Sequence, residues 1–350
     1  MAVQEIAGVA EIEAWEQTVQ KSVPIRVASS LLHFAKRKPL GAVCGVIVVF
    51  FIVIGDLVPE TMNKISRTEV YLGDFGVGAP RIGVIKPDLG KPIPYLADQL
   101  ANHTGFIYPY GKQNLRDKLE GPSANHLLGT DRIGRDILSR ILYGARTAVM
   151  VAFGSVIISE TISAMMGISA GYYGGVLDKV FYRVVDVFQS LPGLVVLITV
   201  FGIFGSGLWQ LIIVIGVYGG PPASRTIRGQ TIAVMASPFI ESARVAGASN
   251  MRIMRRYLLP NVFALMILSA TLRLGFVVLL EANLSFLGYG LPPPFPSWGQ
   301  MLGQEGRDFM RVQPGLAIFP GLAIGLLVFS FNLFGDALRD VLDPRLRGSR

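Results

Sequence analysis

"SPFIESARVAGASNMRIMRRYLLPN", residues 237–261, is a polar, arginine-bearing interlude between two apolar runs. Ser237 stands where a helix cap belongs, Pro238 at the first helical position, and Glu241 near the positive end of the helix dipole. Ala243, Ala246, Gly247 and Ala248 keep the surface small enough for another backbone to approach closely. A second short helical run is predicted to reach Leu259 and to stop there, because proline disfavours helical geometry in the residue before it. Such an interlude between two membrane spans reads as an exposed hook on the inner side, gripped by a soluble partner.

Outward from this stretch the chain is apolar. It has 350 residues, of which 51% are hydrophobic and 16% charged, with a mean hydropathy of +0.50. Runs of about 18 or more apolar residues are transmembrane candidates. The net charge of +8 would suggest nucleic acid in a soluble protein. Here it matches the retention of Lys and Arg on inner loops of membrane proteins, so no nucleic acid partner is expected. The single cysteine, Cys44, excludes an intrachain disulfide framework and a cysteine-based zinc cage. His33, His103 and His126 lack metal-ligand spacing and read as hydrogen-bonded surface histidines.

The pattern predicts an all-α membrane protein with six transmembrane helices. Residues 1–39 form an N-terminal inner segment ending in the basic Lys36, Arg37 and Lys38. The first span, 40–59, is too long for a signal peptide and no A-x-A-like site follows it. An outer loop, 60–146, is irregular with short strands or turns, and ends in an amphipathic helix, "HLLGTDRIGRDILSRILYGART" (126–147). Ile133, Ile137, Leu138, Ile141 and Leu142 line one face, and Arg132 and Asp136 pair on the solvated side.

The core, 147–335, holds the remaining spans at about 148–170, 184–205, 208–222, 262–280 and 314–334. "GYYGG" opens a tight turn over 171–183, Pro192 kinks the third span, and the fourth extends helically toward Gln230. The loop 224–261 carries Arg225, Arg228, Arg244, Arg252, Arg255 and Arg256 against Glu241 alone, which places it inside. The tail, 336–350, with Arg339, Arg345, Arg347 and Arg350, is inside too, after a helix stop at Asp343-Pro344.

Charges within spans are costly and face a cavity or a partner helix. Glu160, Arg273 and Glu281 are therefore candidates for a translocation path. Glu160 could pair with Ser159 or Thr161, and Arg273 and Glu281, eight residues apart, read as sharing one helical face. No catalytic residues and no metal ligands are expected. There is no phosphate-binding G-x-x-x-x-G-K-[ST] loop, since Gly90-Lys91 and Gly111-Lys112 are followed by Pro and Gln. An ion-driven transporter using these charges as a relay remains an alternative, but no internal inverted repeat supports it.

These residues resemble the C-type inner-membrane permease subunits of binding-protein-dependent ABC importers, in the dipeptide/oligopeptide/nickel branch. The family signature E-A-A-x3-G-x9-I-x-L-P is met by Glu241, Ser242, Ala243 and Gly247, then Tyr257, Leu259 and Pro260, with Ser for Ala and Tyr for Ile. "HLLGTDRIGRDILSRILYGAR" from His126, "EANLSFLGYGLPPPFPSWGQML" from Glu281 and "FNLFGDALRDVLDPRLRG" from Phe331 are similar to the same subunit. The resemblance implies the type I permease fold, with a long extracytoplasmic loop between the first two spans and a cytoplasmic coupling helix between the fourth and fifth. It implies a heterodimer with a second permease subunit, and two ATPase subunits that carry ATP and magnesium while this chain binds no cofactor. A substrate-binding protein would deliver a peptide from outside, with nickel or another small solute as the alternative. Glu241, Ser242, Ala243, Arg244 and Gly247 would form the ATPase interface, and the chain would lie in a prokaryotic inner membrane with both termini cytoplasmic.

Overall fold

The computed structural model describes residues 38–53 and 113–342, with residues 35 and 111 in isolation. The expectations for most of 1–39, for 54–110 and for 343–350 lie outside the described residues. Among the described residues there is helix and turn, with a lone β-bridge between Thr130 and Asp136 and no strand.

The helices are α1 (Pro39–Val53), α2 (Ile137–Tyr173), α3 (Gly175–Ser190), α4 (Gly193–Phe204), α5 (Leu208–Met235), α6 (Pro238–Val245), α7 (Asn250–Phe286), α8 (298–309) and α9 (Gly315–Leu342). Three of them, α2, α7 and α9, are long and apolar enough to cross a bilayer. The pair α3 and α4 adds a fourth candidate if counted as one span, bent by 86° at Leu191 and Pro192. The apolar first half of α5 is diluted by Gly219, Gly220, Pro221, Pro222 and Arg225.

α2 and α5 form the spine. Gly154 receives Ile212, Gly216 receives Ile158, Gly220 receives Ile162, Gly167 receives Ile227, and Gly171 receives Thr231. Each glycine meets a β-branched side chain so closely that an added Cβ would lie within 2.6 to 2.8 Å of it. Two G-x-x-x-G pairs, 167/171 and 216/220, supply most of this seam; small residues let backbones approach where no hydrophobic force drives helices together. The residue numbers of these packed pairs rise together along both helices, so α2 and α5 run parallel. The chain between them must therefore return once, and the α3–α4 pair makes that return. α7 and α9 run antiparallel, with Gly275 against Asn332 and Gly335 against Thr271. α1 is antiparallel to α9, through Gly45 on Phe334, Gly41 on Ala337, and Lys38 Nζ at 2.5 Å from Asp340.

The end of the bundle holding Tyr173, Met235 and Asn250 is here called the lower end. At the upper end α8 tucks back into the bundle. Trp298 is buried and donates its indole N–H to Ile141 O at 2.9 Å. Gly299 and Gly303 set α8 on the backbone of α7 at Ala282 and Phe286.

Several sequence expectations are corrected. The amphipathic helix over 126–147 is absent before Asp136, which caps α2 by accepting from Ser139 N. Arg132 and Asp136 form no ion pair among the described residues; Arg135 and Arg140 turn inward to Asp131 instead. Buried countercharge thus replaces the solvated face. The turn over 171–183 is a short break at Gly174 and Gly175, whose φ of 62° and 58° a side chain would strain, and α3 starts there. The loop 224–261 begins as α5, which persists to Met235. Helix also continues past Pro260. A wide π turn, Met254–Leu258, precedes it, with Leu259 N–H bonded to Met254 O, so the missing N–H of proline falls where the ladder is already re-spaced. The tail begins as helix, since α9 reaches Leu342.

Candidate functional site

Two sites stand out, one midway along the bundle and one at its lower end. The first is built by proline. Pro192 has no N–H, which leaves Phe188 O at the end of α3 without a helical donor. The Tyr218 hydroxyl from α5 donates to that oxygen at 3.2 Å. Gly193 lets the tyrosine in, since a Cβ there would lie 2.8 Å from its hydroxyl. Beside this bend a cleft of about 690 Å³ opens between α2, α5, α7 and the α3–α4 break.

Glu160 on α2 and Arg273 on α7 meet at its inner wall. Arg273 Nε lies 3.4 Å from Glu160 Oε1, and Nη1 donates to Ser159 Oγ at 3.1 Å and to Gly219 O at 3.0 Å. Glu160 also accepts from Ser269 at 3.1 Å and Ser163 at 3.3 Å. Thr161 donates to Ile157 O rather than to Glu160. Arg273 is among the residues lining the cleft; Glu160 lies behind it, outside the lining. Glu281 joins neither: it is buried at 2% exposure, accepts from Ser285 Oγ at 2.6 Å, and does not line the cleft.

The second site is α6 and its mount. Ile240 is buried in a cluster of Ile168, Ile227, Val234, Ile253, Leu258 and Val262, contributed by α2, α5 and α7. Such burial stabilises the mount by roughly 1.5–3 kcal/mol per large side chain. Ala243 is buried toward the bundle as well. Glu241, Ser242, Arg244 and Gly247 are exposed, flanked by exposed Phe239 and Val245. Gly247 ends the helix at φ 79°, with its N–H on Arg244 O and that of Ala248 on Ala243 O. Nothing in the described chain lies within 4 Å of a Cβ built there, so its need is conformational. The Arg244 guanidinium lies 5.7 Å from the Tyr172 ring, tying α6 to the foot of α2, and Tyr172 donates to Asn250 Oδ1 at the start of α7. Ser237 makes no side-chain cap hydrogen bond, although it occupies the cap position.

A third cluster escaped the sequence reading. Asp131, Arg135, Arg140 and Glu305 are all buried beneath the upper loops. Asp131 accepts from Arg135 Nε at 2.5 Å, and Arg135 also pairs with Glu305 on α8. Burial pushes the Glu305 carboxyl above the ordinary carboxylate range, against the pull of Arg140 and Arg135. Nearby, His126 is buried rather than at the surface, with Nδ1 at 3.1 Å from Asp136 Oδ1. Asp117, Glu120 and His126 bring ligand-type atoms within 4.8 Å of one another.

Residues 163–348 match the family described as "Binding-protein-dependent transport system inner membrane component". The chain is 41% identical over 245 residues to the glutathione transport system permease protein GsiD of Pectobacterium atrosepticum, covering 69% of this chain and 81% of that one. It is 42% identical over 246 residues to GsiD of Escherichia coli O157:H7, with the same coverage. The chain belongs to this permease family. Among solved structures, an inward-facing MetNI methionine ABC transporter is similar at 21% identity and a TM-score of 0.47, over 58% of this chain and 96% of that one. By its family model and these relatives, the protein is an inner-membrane permease component of a binding-protein-dependent transport system. The matched region takes in Arg273, Glu281 and the α6 residues, while Glu160 and the Asp131 cluster, Glu305 apart, precede it.

Proposed function

We propose that this permease subunit forms half of a peptide translocation path and that α6 is its coupling helix. The observation that carries the reading is the division of α6 into an anchored face, Ile240 and Ala243, and an exposed one, Phe239, Glu241, Ser242, Arg244 and Val245. A short helix held by three long helices and presenting a mixed apolar and charged face suits a groove on a soluble partner. A push on α6 would reach α2, α5 and α7 together, which favours rigid-body alternation of access.

In this reading α1, α2, the α3–α4 pair, α5, α7 and α9 are six spans, the lower end is cytoplasmic, and both termini lie there. The Lys38–Asp340 pair and the arginine-rich lower loops favour that orientation. A homologous permease completes a heterodimer. Two ATPase subunits beneath it hold ATP and magnesium, this chain contributing no catalytic group, and an extracytoplasmic binding protein delivers a di- or oligopeptide. The likeness to permeases named for glutathione, itself a tripeptide, supports that substrate class over nickel.

The test is co-purification of the chain with its permease and ATPase partners, comparing wild type with Glu241→Ala/Val245→Arg. Both side chains are exposed, so the second permease subunit should be retained while the ATPases are lost or hydrolysis is uncoupled from uptake. A double variant that keeps the ATPases and transports normally would remove α6 from the coupling role.

A further inference from the structure

We propose that the cleft beside the α3–α4 bend binds the carboxylate of the transported solute, and that the Arg273 guanidinium receives it. The inference rests on the permease reading and adds the chemistry of its site. Arg273 is the one charged side chain among the cleft's lining residues. Its Nη1 is committed to Ser159 and Gly219, and its Nε faces Glu160. Nη2, with two N–H donors, has no partner among the described residues, and the side chain is 29% exposed. Glu160 stands behind, its oxygens already shared with Ser163, Ser269 and Arg273, so it fixes the guanidinium without covering the edge that is left.

The rest of the wall sorts the ligand further. The hydroxyls of Ser155 and Tyr218 are spent on Ile212 O and Phe188 O. Gln189 adds one neutral amide, and Phe188, Leu191, Phe276 and Leu280 make the rest of the lining largely apolar. A volume of about 690 Å³ falls within the range of small-molecule sites. One fixed cation, a largely apolar wall and no lining anion select a small solute with a carboxylate at one end. Cationic solutes and bare metal cations are disfavoured. Arginine also offers a planar fork that lysine lacks, which suits a carboxylate held by two oxygens.

The experiment uses the purified complex of this chain with its second permease and ATPase subunits, without binding protein. Equilibrium dialysis measures the affinity of trialanine and of trialanine amide for wild type, Arg273→Gln and Arg273→Lys. Wild type should prefer the acid by about tenfold or more, the preference expected of one charge-assisted hydrogen-bonding pair. Arg273→Gln should lose that preference, and Arg273→Lys should keep part of it. Equal binding of acid and amide by wild type overturns the proposal. So does loss of the second permease subunit from Arg273→Gln, which would make a partner carboxylate the occupant. Displacement of trialanine by phosphatidylglycerol at fixed detergent overturns it too, by assigning the cleft to a lipid phosphate. Uptake by the complete importer in proteoliposomes separates the two readings. ATP-driven uptake without cleft binding sinks this proposal alone, whereas absence of ATP-driven uptake sinks the permease reading.

Discussion

Asp131 takes in four groups at once: the backbone N–H of Ile133 and of Arg135 at 2.9 Å, Arg135 Nε at 2.5 Å, and Arg140 Nε within 3.7 Å. It is fully buried, and Arg140 has two nitrogens without a hydrogen-bond partner. Removing its charge leaves two buried cations facing Glu305 alone. Asp131→Asn should therefore destabilise the purified complex by about 3 kcal/mol, the usual cost of breaking a buried pair from one side. Thermal unfolding should show a midpoint lowered by about 6 °C or more. Arg132→Ala, at an exposed neighbour, should stay within about 0.5 kcal/mol of wild type. The same logic sets a cycle on Glu160 and Arg273. Each neutral single variant, Glu160→Gln or Arg273→Gln, strands one charge, so the double variant should be more stable than the sum of the singles predicts. Additivity in unfolding midpoints would show that the two side chains do not interact.

At the scale of elements the α2–α5 seam decides the fold. A side chain at Gly220 would put its Cβ 2.6 Å from Ile162 Cβ, between two helix backbones that cannot both retreat. Gly220→Leu should therefore abolish a monodisperse complex in size-exclusion chromatography, and adding Ile162→Ala should restore part of it by returning the volume. A normal profile for Gly220→Leu alone would show that the seam is loose. Much of this level was legible. Apolar runs located α2, α7 and α9, Pro192 marked the bend, and Ser237-Pro238 marked the start of α6. The misreadings share one cause, which is that a pattern of local spacing says nothing about a distant partner. Charges at 131–140 had the spacing of a solvated helix face, yet Glu305, far along the chain, makes burial affordable. Glu160 was matched to neighbours in sequence, whereas the pair it forms, with Arg273, joins α2 to α7. Pro260 looked like a stop because the π turn that accommodates it leaves no mark in composition.

For the whole molecule, the direction of each helix follows from its packing. α2 and α5 descend together, the α3–α4 pair returns between them, and α9 descends beside an ascending α1. Upper loops and the α6 hook must then face opposite sides of the bilayer, whichever side is which. A single-cysteine labelling experiment tests both the separation and the proposed orientation. The natural Cys44 is buried at 2% exposure and should remain silent to a membrane-impermeant maleimide. Leu115, at 71% exposure, lies in the upper loops, and Val245, at 85%, lies on α6. Leu115→Cys should be labelled in intact cells with the outer membrane made permeable, and Val245→Cys only after the inner membrane is opened. Labelling of both from outside would contradict the helix directions. Exchange of the two patterns would keep the directions but invert the orientation, and with it the assignment of α6 to an ATPase partner, because a helix facing outward cannot meet a subunit that works on cytoplasmic ATP.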